Sequence, residues 1–108
     1  MSFYDLYAFE GLHIREAKNI IELSLGTKLD ERESTFQGGE YYISGNKKSE
    51  NFILKKNIDP FDGEPVEMDH PEYKIIFYIN NTDRPNCLKC LLLDTKKFIL
   101  LRTEEILD

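Results

Sequence analysis

The residues of this 108-residue chain with chemistry to offer are two cysteines, two histidines and one dense run of carboxylates. Cys87-Leu88-Lys89-Cys90 has the spacing of a pair that can chelate a metal or close into a redox-active disulfide. A structural zinc site needs four ligands, and His13 and His70 are scattered singles with no supporting spacing. The thiols are therefore expected to be free, with Cys90 in a helix seam and Cys87 near the helix start, and neither a metal nor a cofactor is expected. His13 falls in the first turn of an amphipathic helix and His70 stands directly before Pro71. Neither sits in a nucleophile elbow, a phosphate-binding glycine loop, an HExxH pair or an EF-hand. Catalysis needs convergent polar groups, so the expectation is a protein that is not an enzyme, with no catalytic residues. A small enzyme using His70 with its neighbouring carboxylates stays open as the alternative.

The carboxylate run is more informative. Residues 57–71 hold Asp59, Asp62, Glu64, Glu67 and Asp69, three prolines, and no Lys or Arg. Phe61, Val66 and Met68 are interleaved with the charges. Carboxylates steer a basic partner, and an exposed aromatic or flexible apolar group anchors once water is expelled. Asp59, Phe61, Asp62, Glu64, Glu67, Met68 and Asp69 are thus candidate interface residues. The competing reading has Phe61 and Val66 tucked under the loop and the charges merely solvating it. Glu40, Tyr41 and Tyr42 form a second candidate patch. Neighbouring strand residues point to opposite faces, so one tyrosine is expected inside and the other outside. Lys47, Lys48, Lys55 and Lys56 lack the interleaved aromatics of a base-stacking surface and read as solvated strand edges.

A formal charge of -6 and a pI near 4.9 oppose binding to phosphate backbones or anionic membranes and favour a cationic partner. No apolar run approaches the roughly 20 residues that span a bilayer, and Met1-Ser2-Phe3-Tyr4-Asp5 lacks an export signal's basic start and apolar core. A cytoplasmic location is expected.

The elements that must position these groups read as one α+β domain over residues 1–108. Ile14, Ala17, Ile21 and Leu25 recur at helical spacing, giving a helix over 12–25 that stops at Gly26. The segment before it, 3–9, is aromatic with no clear period and is expected to lie on the core as an irregular or short extended arm. Strands follow at 29–37, 40–44 and 51–56, with Gly38-Gly39 as a two-residue hairpin and Gly45-Asn46 opening a looser turn. After the acidic loop, 73–80 is apolar on both alternating faces and reads as a central strand. Thr82 or Asp83 is expected to cap a second helix with Pro85 in its first turn and Leu88, Leu91 and Leu92 buried. A last strand at 98–102 precedes an acidic tail at 104–108. The sum is a mostly antiparallel sheet of about five strands with an N-terminal helix and a second helix before the last strand.

This order of signals resembles the small immunity proteins of bacterial contact-dependent growth inhibition and related polymorphic toxin systems. The resemblance rests on 3–25, Gly38-Gly39-Glu40-Tyr41-Tyr42, Asn51-Phe52-Ile53-Leu54 leading into Asn57 and Asp59-Pro60-Phe61, Tyr73 through Asn81-Thr82-Asp83-Arg84, and 98–102. It implies a protein that neutralises the C-terminal domain of a cognate toxin, often a nuclease with a basic groove, by covering its active site or substrate surface. It implies no cofactor, no direct nucleic-acid or membrane contact and no particular contact residues. A stress-linked regulatory or scaffold domain is a further alternative.

Overall fold

The computed structural model describes residues 1–107; Asp108 of the acidic tail lies outside them. The chain runs β1 (Ser2–Phe9), α1 (Ile14–Leu25), β2 (Asp30–Ser34), a 3-10 turn (Thr35–Gln37), β3 (Gly39–Ser44), β4 (Asn51–Lys56), β5 (Ile75–Thr82), α2 (Pro85–Asp94) and β6 (Phe98–Ile106). The strands form one antiparallel sheet in the order β2-β3-β4-β5-β1-β6. The α+β class holds, with six strands where about five were expected.

The added strand is the N-terminal segment. It is no arm on the core but lies within the sheet, hydrogen-bonded to β5 on one side and β6 on the other. Its lack of period has a physical cause: Leu6, Tyr7, Ala8 and Phe9 are all buried, so both faces of the strand demand apolar residues and the alternation disappears. β5 is central as expected, between β4 and β1. β6 reaches Ile106, past the expected end at 102, because its later residues pair with Ser2, Phe3 and Tyr4.

Register separates the two faces. Tyr7, Phe77, Leu54 and Tyr42 follow one another across four strands, flanked by Phe9, Ile75 and Phe98, and this face packs on both helices. Phe77 lies between the rings of Phe52 and Phe98, at centroid distances of 5.8 and 6.2 Å. Helix α1 contributes Ile14, Ala17 and Ile21, one per turn. Its end is closed by Gly26 in the left-handed region, whose N–H donates to Glu22 O at 3.1 Å. Glu22 also accepts from Leu29 N at 2.8 Å, tying the helix to the approach to β2.

Helix α2 buries only Leu88 and Leu92; Leu91 and both cysteines are exposed, contrary to the expected stripe and seam. It packs on α1 and β6 at the margin of the layer, where one residue per turn reaches the core. Its N-cap position is Arg84. Thr82 belongs to β5, and its hydroxyl accepts from Arg84 N at 3.1 Å while donating to Glu50 at 2.6 Å. The Gly38-Gly39 hairpin is replaced by the 3-10 turn ending at left-handed Gly38, with Gly39 already in β3.

The opposite face follows Leu6, Tyr78, Ile53 and Ile43; no helix among the described residues packs on it, but the acidic loop reaches over it through Glu67 to Tyr78 and Arg102, and Leu6, Ala8 and Ile76 are buried. Among the described residues no helix is long and apolar enough to cross a membrane.

Candidate functional site

The helix-free face and the acidic loop together form the candidate site. Asn57, buried at the end of β4, clasps the loop at its base. Its Nδ2 donates to His70 O at 3.0 Å and Tyr73 O at 2.9 Å, and its Oδ1 accepts from Glu67 N at 2.8 Å. One amide thus joins the outgoing and returning arms of the loop with complementary donors and acceptors. Glu67 fastens the loop to the sheet: its carboxylate accepts from the Tyr78 hydroxyl and from Arg102 Nη1 at 3.0 Å. Burial pushes Glu67 up, but the bonds from Tyr78 and Arg102 outweigh it and hold the carboxyl below its ordinary value. Tyr78 is pushed up in turn, by burial first and then by Glu67.

Beyond this base the loop forms a closed turn. Asp59 N donates to Glu64 O at 2.7 Å, Gly63 N donates to Asp59 O at 2.8 Å, and the Asp59 and Asp62 side chains accept from Phe61 N and Glu64 N. Gly63 takes φ +74°, where an L side chain is strained. The turn carries Phe61 at its tip, 73% exposed, against Phe36 of the 3-10 turn, which is 75% exposed. Their ring centroids are 5.5 Å apart. Met68 is 72% exposed farther along the loop. Beneath the loop, Lys55 Nζ donates to Gln37 Oε1 at 2.6 Å. Burial lowers the Lys55 pKa against the opposing pull of Asp59 and Glu67.

The candidate residues therefore separate into two groups. Phe61, Asp62, Glu64, Met68 and Asp69 are exposed and Asp59 is half-buried, all on one loop. Phe61 does not tuck beneath it. Glu67 is placed otherwise: its side chain is mostly covered and engaged by Arg102. Tyr42 is buried in the core and Tyr41 stays half-buried, the inside–outside division expected of adjacent residues. Tyr42 donates to Glu40, which also pairs with Arg15 Nε at 3.0 Å. Burial, then Glu40, pushes Tyr42 up to about 12, while its bond to Glu40 is the largest influence lowering that carboxyl. Tyr42 and Glu40 thus hold the sheet against α1 and are not free anchors.

Sequence reasoning missed Phe36, Asn57, Tyr78 and Arg102. Asn57 gave the best signal, a short polar residue between a strand and a proline-rich segment, but its partners lie ten to sixteen positions away. His70 contributes its backbone to the clasp and lies near enough to Glu67 to favour that carboxylate. It lines neither of two open hollows, of about 470 and 380 Å³. No group of three or more His, Cys, Asp or Glu among the described residues could hold a metal ion.

The larger hollow lies on the helix-free face beyond Glu67, among Tyr4, Leu6, Tyr78, Asn80, Arg102 and Glu104. Asp5 adjoins the hollow through β1, but it pairs with Ile79 on the helix-facing side of the sheet; it is 3% exposed, and its Oδ1 has no hydrogen-bond partner. Burial pushes its carboxyl up, against the hydrogen-bonding Thr103 side chain and the charge of Lys89. Compared with known proteins, the chain matches no protein-family model and no curated protein sequence.

Proposed function

We propose that this chain is an immunity protein, binding and neutralising the C-terminal domain of a cognate bacterial toxin in the cytoplasm. The observation that carries the reading is the Phe36–Phe61 pair, two rings held in solvent at the tip of a braced turn with Asp59, Asp62 and Glu64 around it. Exposed aromatics on a pre-ordered loop lose little freedom on docking, and surrounding carboxylates complement a basic surface such as a nuclease's substrate groove. The resemblance to immunity proteins points to the same role. No cofactor enters, and inhibition is by covering the toxin's active site or substrate surface. Catalysis by His70 is less well supported, since the adjacent Glu67 carboxylate is already engaged by Tyr78 and Arg102.

The test is to mix the chain with a purified cognate toxin domain, measure the complex by calorimetry and score protection of cells expressing the toxin. A tight complex and rescue are expected. The Phe61→Ala and Asp62→Lys/Glu64→Lys variants should weaken binding, the latter mainly through slower association at low salt. Absence of both complex and protection refutes the proposal.

A further inference from the structure

The hollow on the helix-free face lies apart from the aromatic tip and has a chemistry of its own. Tyr4 and Tyr78 supply rings and Leu6 an apolar floor, and its volume of about 470 Å³ falls within the roughly 300–1,000 Å³ typical of ligand sites. Its charges do not balance. Arg102 is the one cation in the wall, and it is already engaged from behind by Glu67 at 3.0 Å and from the side by Glu104 at 3.2 Å. Glu104 remains 57% exposed at its side chain, and with Arg102 shared between two carboxylates one negative charge is left in excess. A surface with aromatic faces, an apolar floor and one uncompensated carboxylate charge suits a cation on an apolar stem. A planar guanidinium suits it better than an ammonium, because it stacks on rings while donating to a carboxylate.

We propose that this hollow receives an arginine side chain from a basic protein partner, its stem on Leu6 and the tyrosine rings and its guanidinium at Glu104. The inference rests on reading the chain as a binder of a basic protein, and it makes the helix-free face a second contact beside the aromatic tip.

The probe is N-acetyl-arginine methylamide, titrated into the full chain and followed through backbone amide shifts by NMR. Saturable shifts are expected at Tyr4, Leu6, Tyr78 and Glu104, with an affinity of about millimolar, as for a single side chain. The Glu104→Gln variant, folded as judged by its spectrum, should bind about tenfold more weakly for loss of the charged acceptor. Tyr4→Leu should weaken binding as well, and the corresponding leucine derivative should give no saturable shift. Shifts elsewhere only, equal binding of the leucine derivative, or an unchanged affinity in Glu104→Gln overturns the proposal. The probe requires no toxin, so the two readings fail separately. Arginine binding without toxin capture sinks the immunity role alone, and toxin capture without arginine binding sinks the hollow alone.

Discussion

Replacing Asn57 by alanine tests the clasp on which the aromatic tip depends. The substitution removes three hydrogen bonds and leaves the carbonyls of His70 and Tyr73 and the amide of Glu67 without their partner. Bonds of this kind contribute about 1 kcal/mol each, and a buried orphan group costs more, so the total loss should be about 2–4 kcal/mol. That is a large part of the roughly 5–15 kcal/mol that stabilises a domain of this size. It corresponds to a fall in melting temperature of about 10–20 °C. Urea unfolding gives the free energy, and amide hydrogen exchange locates the change. Glu67 N–H, which donates to Asn57, should lose its protection first, while Phe77 N–H in the central strand falls only with global stability. Asn57→Asp is nearly isosteric and keeps the acceptor for Glu67, but it turns a carboxylate on two carbonyl oxygens and should cost at least as much. A loss below about 0.5 kcal/mol, within the range of ordinary surface changes, together with unaltered Glu67 protection, would refute the clasp.

Phe36→Ala and Phe61→Ala should each destabilise the fold by less than about 1 kcal/mol in urea unfolding, because the rings meet in solvent; a loss above about 2 kcal/mol would place Phe61 in the core. Gly45→Ala should be costly, since φ is +80° and a Cβ would lie 2.4 Å from Glu50 O; an unchanged urea midpoint would contradict that geometry. Acid should weaken the fold. Glu22, Glu40, Glu50 and Glu67 are each held below their ordinary value of 4.5, by Leu29 N–H for Glu22, Tyr42 for Glu40, Arg84 for Glu50, and Tyr78 with Arg102 against burial for Glu67. The unfolded chain takes up these protons first as pH falls below 4.5, so their stabilisation is complete above that pH and is lost through the lower folded values. Thermal midpoints from pH 7 to 3 should fall progressively below 4.5, and a flat profile would refute the assignment. Tyr7, Tyr42 and Tyr78 are shifted upward, so stability should also fall above pH 10, where the unfolded chain ionises while the folded tyrosines hold their protons.

Features that depend on neighbours a few positions apart are legible in the amino-acid sequence. The spacing of Ile14, Ala17 and Ile21 sets the buried side of α1, Gly26 stops it, and alternation sends Tyr42 inward and Tyr41 outward. The two-sided apolar run of β5 marks a strand covered on both faces, and the prolines of 57–71 forbid regular structure. The same logic fails for β1, whose aromatic residues carry no period because both of its faces are buried; its place between β5 and β6 is settled by pairing with residues far along the chain. Long-range packing also separates the engaged acidic residues from the exposed ones. Glu67 and Asp62 are alike in charge and lie on one loop, yet Glu67 meets Arg102 across 35 positions while Asp62 accepts from Glu64 N within its own turn. Phe36 and Phe61 belong to separate turns, and the hollow draws its walls from β1, β5 and β6. Local spacing encodes periodicity and chain direction; it does not encode which distant side chain arrives to satisfy a charge or cover a ring, and that arrival separates anchoring residues from those left exposed to a partner.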